Sequence, residues 1–122
     1  MYFSEKELRT SIAQARFSEL AEAMLQCPGV CLGRSFGREC LKFGRRAFVV
    51  LDVSELAFLT GPASPVLLDK LPLARPWNPR NGRRPKDSWV ASLPQDVESL
   101  GMLTLAAYEW VCGRGSGKGG PD

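Results

Sequence analysis

Apolar residues near the start of the chain recur at mostly three- and four-residue steps, as on one face of a helix. The positions that form this stripe are Leu8, Ile12, Leu20, Ala21, Met24 and Leu25. Ser4 and Glu7 match a capping box, in which a hydroxyl closes the helix N-terminus and a carboxylate follows three residues later. The pair Pro28-Gly29 cannot continue a helix. The pattern therefore predicts an amphipathic helix from about residue 4 to residue 25.

The next part of the chain changes to a period of two, which is typical of strands. Leu41 and Phe43 flank Lys42, and two β-rich runs follow, "AFVVLDV" at 47–53 and "LAFLT" at 56–60. Gly44-Arg45 is a candidate tight turn between the first two of these segments. Strands this close in sequence meet through short turns, so we expect three antiparallel strands in a meander.

Helical and extended signals then alternate once more. Ser64-Pro65 starts a short helix that ends at Pro72, and residues 75–89 read as a long loop. "SWVASL" at 88–93 is a predicted strand, and Asp96 caps a closing helix that reaches Val111. The order predicts an α+β two-layer sandwich: an antiparallel sheet of about four strands, with the N- and C-terminal helices packed on one face. The other face is expected to stay open.

The length and composition of the chain are typical of one globular domain. The chain has 122 residues, of which 44% are hydrophobic and 24% are charged. We expect one domain at 1–112 and a flexible Gly-rich tail at 113–122. No apolar run approaches the ~20 residues that span a bilayer. The first nine residues also bring acids where a secretory signal has a basic region. A cytoplasmic protein without membrane association is expected.

The composition excludes several chemistries. The chain contains no histidine, so Ser-His-Asp and Cys-His catalysis are ruled out. Four cysteines are present, but the spacing between Cys27 and Cys31 is not that of a zinc knuckle. Asp52 and Glu55 form a carboxylate pair, although a turn between two strands explains both residues. We therefore expect a protein that is not an enzyme and that has no metal or cofactor.

Basic charge is concentrated in two segments. Residues 34–46 hold five basic residues and one acid, and residues 75–86 hold five basic residues and no acid. The whole chain has a net charge of +3, so the remainder carries −6. Arginine and lysine side chains bind phosphate oxygens and release counterions. The candidate nucleic-acid-binding residues are Arg38, Lys42, Arg45, Arg46, Arg80, Arg83, Arg84 and Lys86.

Two interpretations of these segments stay open at the level of sequence. In the first, the basic side chains contact phosphate, and Trp77 or Trp89 stacks on bases of a single strand. In the second, the arginines are a solvated surface and both tryptophans are buried anchors of the loop between them. No recognised nucleic-acid-binding motif is present to decide between the two.

Several short motifs, in order, resemble a known family. They are Phe36-Gly37 before a strand, Leu41-Lys42 within it, Gly44 at the hairpin, the run 74–79 ("ARPWNP") and Gly82-Arg83 before another strand. Over about residues 10–112 the chain resembles the N-terminal domain of TfoX/Sxy-type proteins. It is also similar to the wider MmcQ/YjbR group, whose fold is called CyaY-like.

The resemblance implies a small α+β domain, mostly without a known activity, and DNA binding has been suggested for some YjbR-like members. It carries no catalytic residues. Iron binding as in frataxin-like proteins is not expected, because those use an acidic first helix and this one mixes acids with bases. The leading hypothesis is a non-enzymatic binding domain with DNA as its partner. The alternative is a protein-interaction or small-ligand-sensing module that uses the open sheet face.

Overall fold

The computed structural model describes residues 4–78 and 88–116, and this part of the chain forms three α-helices and one six-stranded sheet. The helices are α1 (Glu5–Met24), α2 (Ser64–Lys70) and α3 (Val97–Ser116), with a short 3-10 helix at Gly61–Ala63. The strands are β1 (Val30–Ser35), β2 (Arg38–Phe43), β3 (Arg46–Asp52), β4 (Glu55–Leu59), β5 (Arg75–Trp77) and β6 (Trp89–Ser92).

Helix α1 starts as its sequence predicts. The Ser4 hydroxyl accepts a hydrogen bond from the Glu7 amide at 3.1 Å, and the Glu7 carboxylate accepts one from the Ser4 amide at 2.9 Å. Of the predicted stripe, Ala21 is buried and Leu20 and Met24 are partly buried against the core, while Ala13 and Phe17 are buried and were not predicted. Leu8 and Leu25, which were predicted to lie in the stripe, are 53% and 40% exposed.

The sheet is antiparallel throughout, in the order β1-β2-β3-β4-β6-β5. The α+β class and the antiparallel sheet are confirmed, but the predicted count of about four strands is wrong. The two strands that the pattern did not predict, β1 and β5, are the two edges. β1 contains a glycine, and β5 is three residues long with Pro76 at its centre. Proline is tolerated at a sheet edge, where one side of the strand needs no partner.

The strand register puts α1 and α3 on the same face of the sheet. Val30 and Leu32 are two residues apart on β1, so their side chains point to the same face. Phe43 lies opposite Val30 and contacts Tyr108 of α3, with ring centroids 6.2 Å apart. Leu32 lines a cavity whose other wall is α1. We call this side of the sheet the helix face. Strands β3, β4 and β6 are nevertheless buried along almost their whole length, so both faces of the sheet centre are covered.

Helix α3 begins where predicted and ends later. The Asp96 carboxylate accepts a hydrogen bond from the Ser99 amide at 3.3 Å, as a helix cap does. The helix then continues to Ser116, four residues beyond the predicted domain end at 112, while residues 117–122 lie outside the described part of the chain. None of the described helices is long and apolar enough to cross a membrane.

Candidate functional site

One end of the sheet brings together the β2–β3 turn and the two strand ends that flank residues 79–87. β2 ends at Phe43 opposite Arg46. Trp89 pairs with Leu59 at the end of β4 and with Trp77 at the end of β5. By strand direction these positions all lie toward one end of the sheet, although the Trp77 indole reaches back to Asp52 and Phe36 at the opposite end. We call the end that carries the β2–β3 turn the turn end. β3 and β6 are separated there by β4 alone, which corresponds to about 10 Å.

Three of the predicted nucleic-acid-binding residues lie at the turn end. Arg45 is exposed in the turn itself, and Lys42 and Arg46 beside it are partly buried. The aliphatic stem of Lys42 runs over Gly33 of the neighbouring strand, since a Cβ at Gly33 would be 3.0 Å from the Lys42 Cδ. The other predicted residues, Arg80, Arg83, Arg84 and Lys86, lie outside the described part of the chain.

Arg38 does not belong to this group. It lies at the opposite end of β2, where its Nε donates to Asp52 Oδ1 at 2.7 Å and its Nη1 donates to the Phe36 carbonyl at 2.9 Å. A guanidinium held by a carboxylate and a carbonyl has fewer donors left for phosphate. The sequence did not predict the pairing of Arg38 with Asp52, because these residues lie 14 positions apart and meet only across neighbouring strands.

Both tryptophans that flank the segment 79–87 are buried. Trp77 and Trp89 are each 7% exposed, and their ring centroids are 5.2 Å apart. The Phe36 ring meets both indoles edge-on, at 6.1 and 5.9 Å between centroids. The Trp77 Nε1 also donates to Asp52 Oδ2 at 2.7 Å. The burial agrees with the interpretation of the indoles as anchors, and it removes their faces from stacking on bases.

The carboxylates of Asp52 and Glu55 hold basic and aromatic side chains in place. Asp52 accepts from Arg38 and Trp77, and Glu55 forms an ion pair with Arg75. Burial raises the pKa of the Glu55 carboxyl, with the Arg75 charge opposing this shift and the Asp52 charge adding to it. Each carboxylate is therefore committed to donors from the fold, and the pair is explained as a structural network.

The centre of the face opposite the helices is not an exposed surface. The register places Cys40, Val50, Ala57 and Ala91 in one row across β2, β3, β4 and β6, and all four are 0% exposed. Burial raises the pKa of the Cys40 thiol. A binding module that uses an open sheet face would need exposed apolar surface in this row, but these four side chains are fully buried.

A groove on the helix face was not predicted from the sequence. It has a volume of about 670 Å³ and lies between α1 and strands β1 to β3. Its apolar part consists of Phe17, Ala21, Leu25, Leu32 and Leu51. Its polar part consists of Gln14, Ser18, Glu19, Glu22 and Glu39. The one signal in the sequence was Leu25, an apolar residue at the end of α1 beyond the stripe that packs on the sheet.

In the part of the chain that the structure describes, no group of three or more His, Cys, Asp or Glu side chains could hold a metal ion.

The chain was also compared with known proteins. A scan against protein-family models, a search of curated proteins and a search of solved structures each find no match. The geometry and the charges are thus the basis for any functional proposal.

Proposed function

We propose that this chain is a small, non-enzymatic binding domain of the TfoX N-terminal and YjbR-like kind, and that it binds DNA through the turn end of the sheet. The observation that carries the proposal is the common position of the Gly44-Arg45 turn and the strand ends that flank residues 79–87. The turn that carries Arg45 and the strand ends that lead into the second basic segment thus lie toward the same end of the sheet, which supports the proposal.

The contact set differs from the one that the sequence alone suggested. Lys42, Arg45 and Arg46 lie at the turn end, with Lys42 and Arg46 on opposite faces of the sheet by the register. The sequence holds four further basic residues from Arg80 to Lys86. Arg38 is left out because Asp52 already holds it. The tryptophans are left out because they are buried. The proposed interaction is therefore with the phosphate backbone of a duplex and does not depend on base sequence.

A binding titration tests the proposal directly. The 122-residue chain is added to a fluorescently labelled DNA duplex of mixed sequence at low salt, and anisotropy is recorded for wild type and for two double variants. These are Lys42→Ala with Arg45→Ala, and Arg83→Ala with Arg84→Ala. The matched control is Lys6→Ala with Arg9→Ala, which removes the same charge from the exposed start of α1.

We expect both of these variants to bind DNA more weakly and the control to bind nearly as wild type does. Absence of binding at low salt would contradict the proposal. Equal weakening in all three double variants would also contradict it, because the effect would then follow total charge and not position.

A further inference from the structure

The groove on the helix face combines an apolar floor with an acidic border. Of its apolar residues, Leu25 is 40% exposed and Leu32 is 54% exposed, while Phe17 and Ala21 close the bottom. The ten lining residues include three glutamates and no lysine or arginine. We propose that this groove binds a basic, amphipathic helical segment of another protein.

The shape of the groove comes from the width of the sheet. Six strands are too many for two helices to cover, and α1 makes its main contacts with β3 and β4. Beside α1, the part of this face around Leu32 and Glu39 is exposed as a shelf, while Val30 and Leu41 on the same strands are buried. Leu32 and Glu39 lie on this shelf, and Leu51 of β3 lies at its inner border. A third helix placed alongside α1 would cover the shelf as α1 covers the sheet centre.

The length of the groove fits about three helical turns. Its wall on α1 runs from Gln14 to Leu25, and these lining residues follow one another at steps of one to three residues. Eleven steps at 1.5 Å correspond to about 16 Å of helix. A bound helix of about this length, packed 8–10 Å from the α1 axis, would place apolar side chains against Leu25 and Leu32.

The charges around the groove indicate whether its partner should carry positive or negative charge. Glu19 is partly neutralised by Arg16, whose Nη1 lies 3.2 Å from its carboxylate. Glu39 lies opposite Arg34 in the register and is also partly neutralised, since the Arg34 guanidinium keeps its charge while its Nη2 donates to the Gly37 carbonyl at 2.9 Å. Glu22 is exposed in the solvent-facing wall. The remaining negative field favours lysine and arginine on the flanks of the bound helix and repels an acidic one.

The test uses a designed peptide of 14 residues, with leucines at helical spacing on one face and lysines on both flanks. Its binding to isotope-labelled full-length protein is followed by backbone amide shifts. Two comparison peptides have the same composition in scrambled order, or glutamate at every lysine position. We expect shifts at residues 14–25, 32, 39 and 51 with the first peptide, and much smaller shifts with the other two.

Two protein variants separate this surface from general charge effects. Glu22→Lys with Glu39→Lys should weaken the binding of the lysine peptide by at least about tenfold. The control, Asp69→Lys with Glu109→Lys, changes the net charge equally at exposed positions outside the groove. Leu32→Ala removes an exposed apolar contact and should also weaken binding, while circular dichroism confirms that the fold is kept.

Three results would overturn the inference. They are no shifts up to millimolar peptide, shifts located elsewhere, and equal binding by the peptide whose flanks are acidic. Concentration-dependent self-association that is abolished by Leu32→Ala would assign the groove to a second copy of this chain. None of these outcomes depends on DNA, so this inference and the proposed function are tested separately.

Discussion

Replacement of Gly61 by alanine should destabilise the fold through two separable effects. Gly61 begins the 3-10 helix after β4 with φ of +58°, a left-handed conformation that residues with a Cβ adopt at a cost. Its Cα also faces the indole of Trp110 in α3. A Cβ added there would lie 2.6 Å from the Trp110 Nε1 and 2.7 Å from its Cδ2. The ring itself is rigid, so either the Trp110 side chain must change its rotamer or α3 must move.

Gly44 provides the matched control, because it has nearly the same backbone conformation without the contact. Its φ is +63°, and no atom lies within 4 Å of a Cβ added at this position. We expect Gly44→Ala to lower the free energy of unfolding by about 1–2 kcal/mol, the cost of the left-handed conformation. Gly61→Ala should lose this amount and a further ~1–3 kcal/mol for overpacking against Trp110.

Urea denaturation of the three proteins, monitored by far-UV circular dichroism, measures the difference between the two variants. In thermal unfolding, the extra loss at Gly61 should appear as a Tm about 4–12 °C below that of Gly44→Ala, at ~4 °C per kcal/mol for a domain of this size. Equal losses in the two variants would show that α3 does not pack on Gly61 as described, and the reasoning would be refuted.

Three other predictions concern the aromatic and polar network and the thiols. Asp52→Asn should lower the free energy of unfolding by about 1–3 kcal/mol in urea titrations, because it weakens the hydrogen bonds from Arg38 and Trp77. The control Asp69→Asn, at an exposed site, should change the free energy of unfolding by less than ~0.5 kcal/mol. Similar effects of the two variants would contradict the network. The folded-state pKa of Glu55 lies above its ordinary value of 4.5, so its contribution favours folding at low pH and is lost as pH rises through the folded pKa. The free energy of unfolding of wild type relative to Glu55→Gln should therefore increase as pH falls from 7 toward 4.5, and a decrease would show the opposite shift. Cys31 is exposed and Cys40 is fully buried with a raised pKa, so Cys31→Ser should remove the fastest phase of thiol labelling by a disulfide reagent and Cys40→Ser should leave it unchanged.

The local patterns in the sequence predicted the elements that carry their own signals. The capping box at Ser4, the dense apolar run of β3 and the Asp96 cap of α3 each depend on neighbours within a few positions. The edge strands β1 and β5 lacked such signals. β5 has a proline at its centre and becomes a strand only because β6 offers it hydrogen bonds across 11 intervening positions.

The candidate binding residues divide in the same way, into those predicted from local sequence and those that depend on the register. Arg45 follows Gly44 in a predicted turn, and it is exposed there. Arg38 looked equivalent in the sequence, but its ion pair depends on the register of β2 against β3, which includes a bulge between Leu41 and Lys42. The groove depends on how far the sheet extends beyond α1. How far the sheet extends depends on the number of strands, which the sequence pattern underestimated.

The dependence of DNA affinity on salt tests the central claim most directly. The binding constant of wild-type protein for a duplex is measured by anisotropy across a range of NaCl concentrations. If four basic side chains contact phosphate, the plot of log K against log[NaCl] should have a slope of about −3.6. Lys42→Ala with Arg45→Ala should bring the slope about 1.8 closer to zero, and Lys6→Ala with Arg9→Ala should leave it unchanged. A wild-type slope near zero, or the same slope change in both double variants, would contradict DNA binding at the turn end.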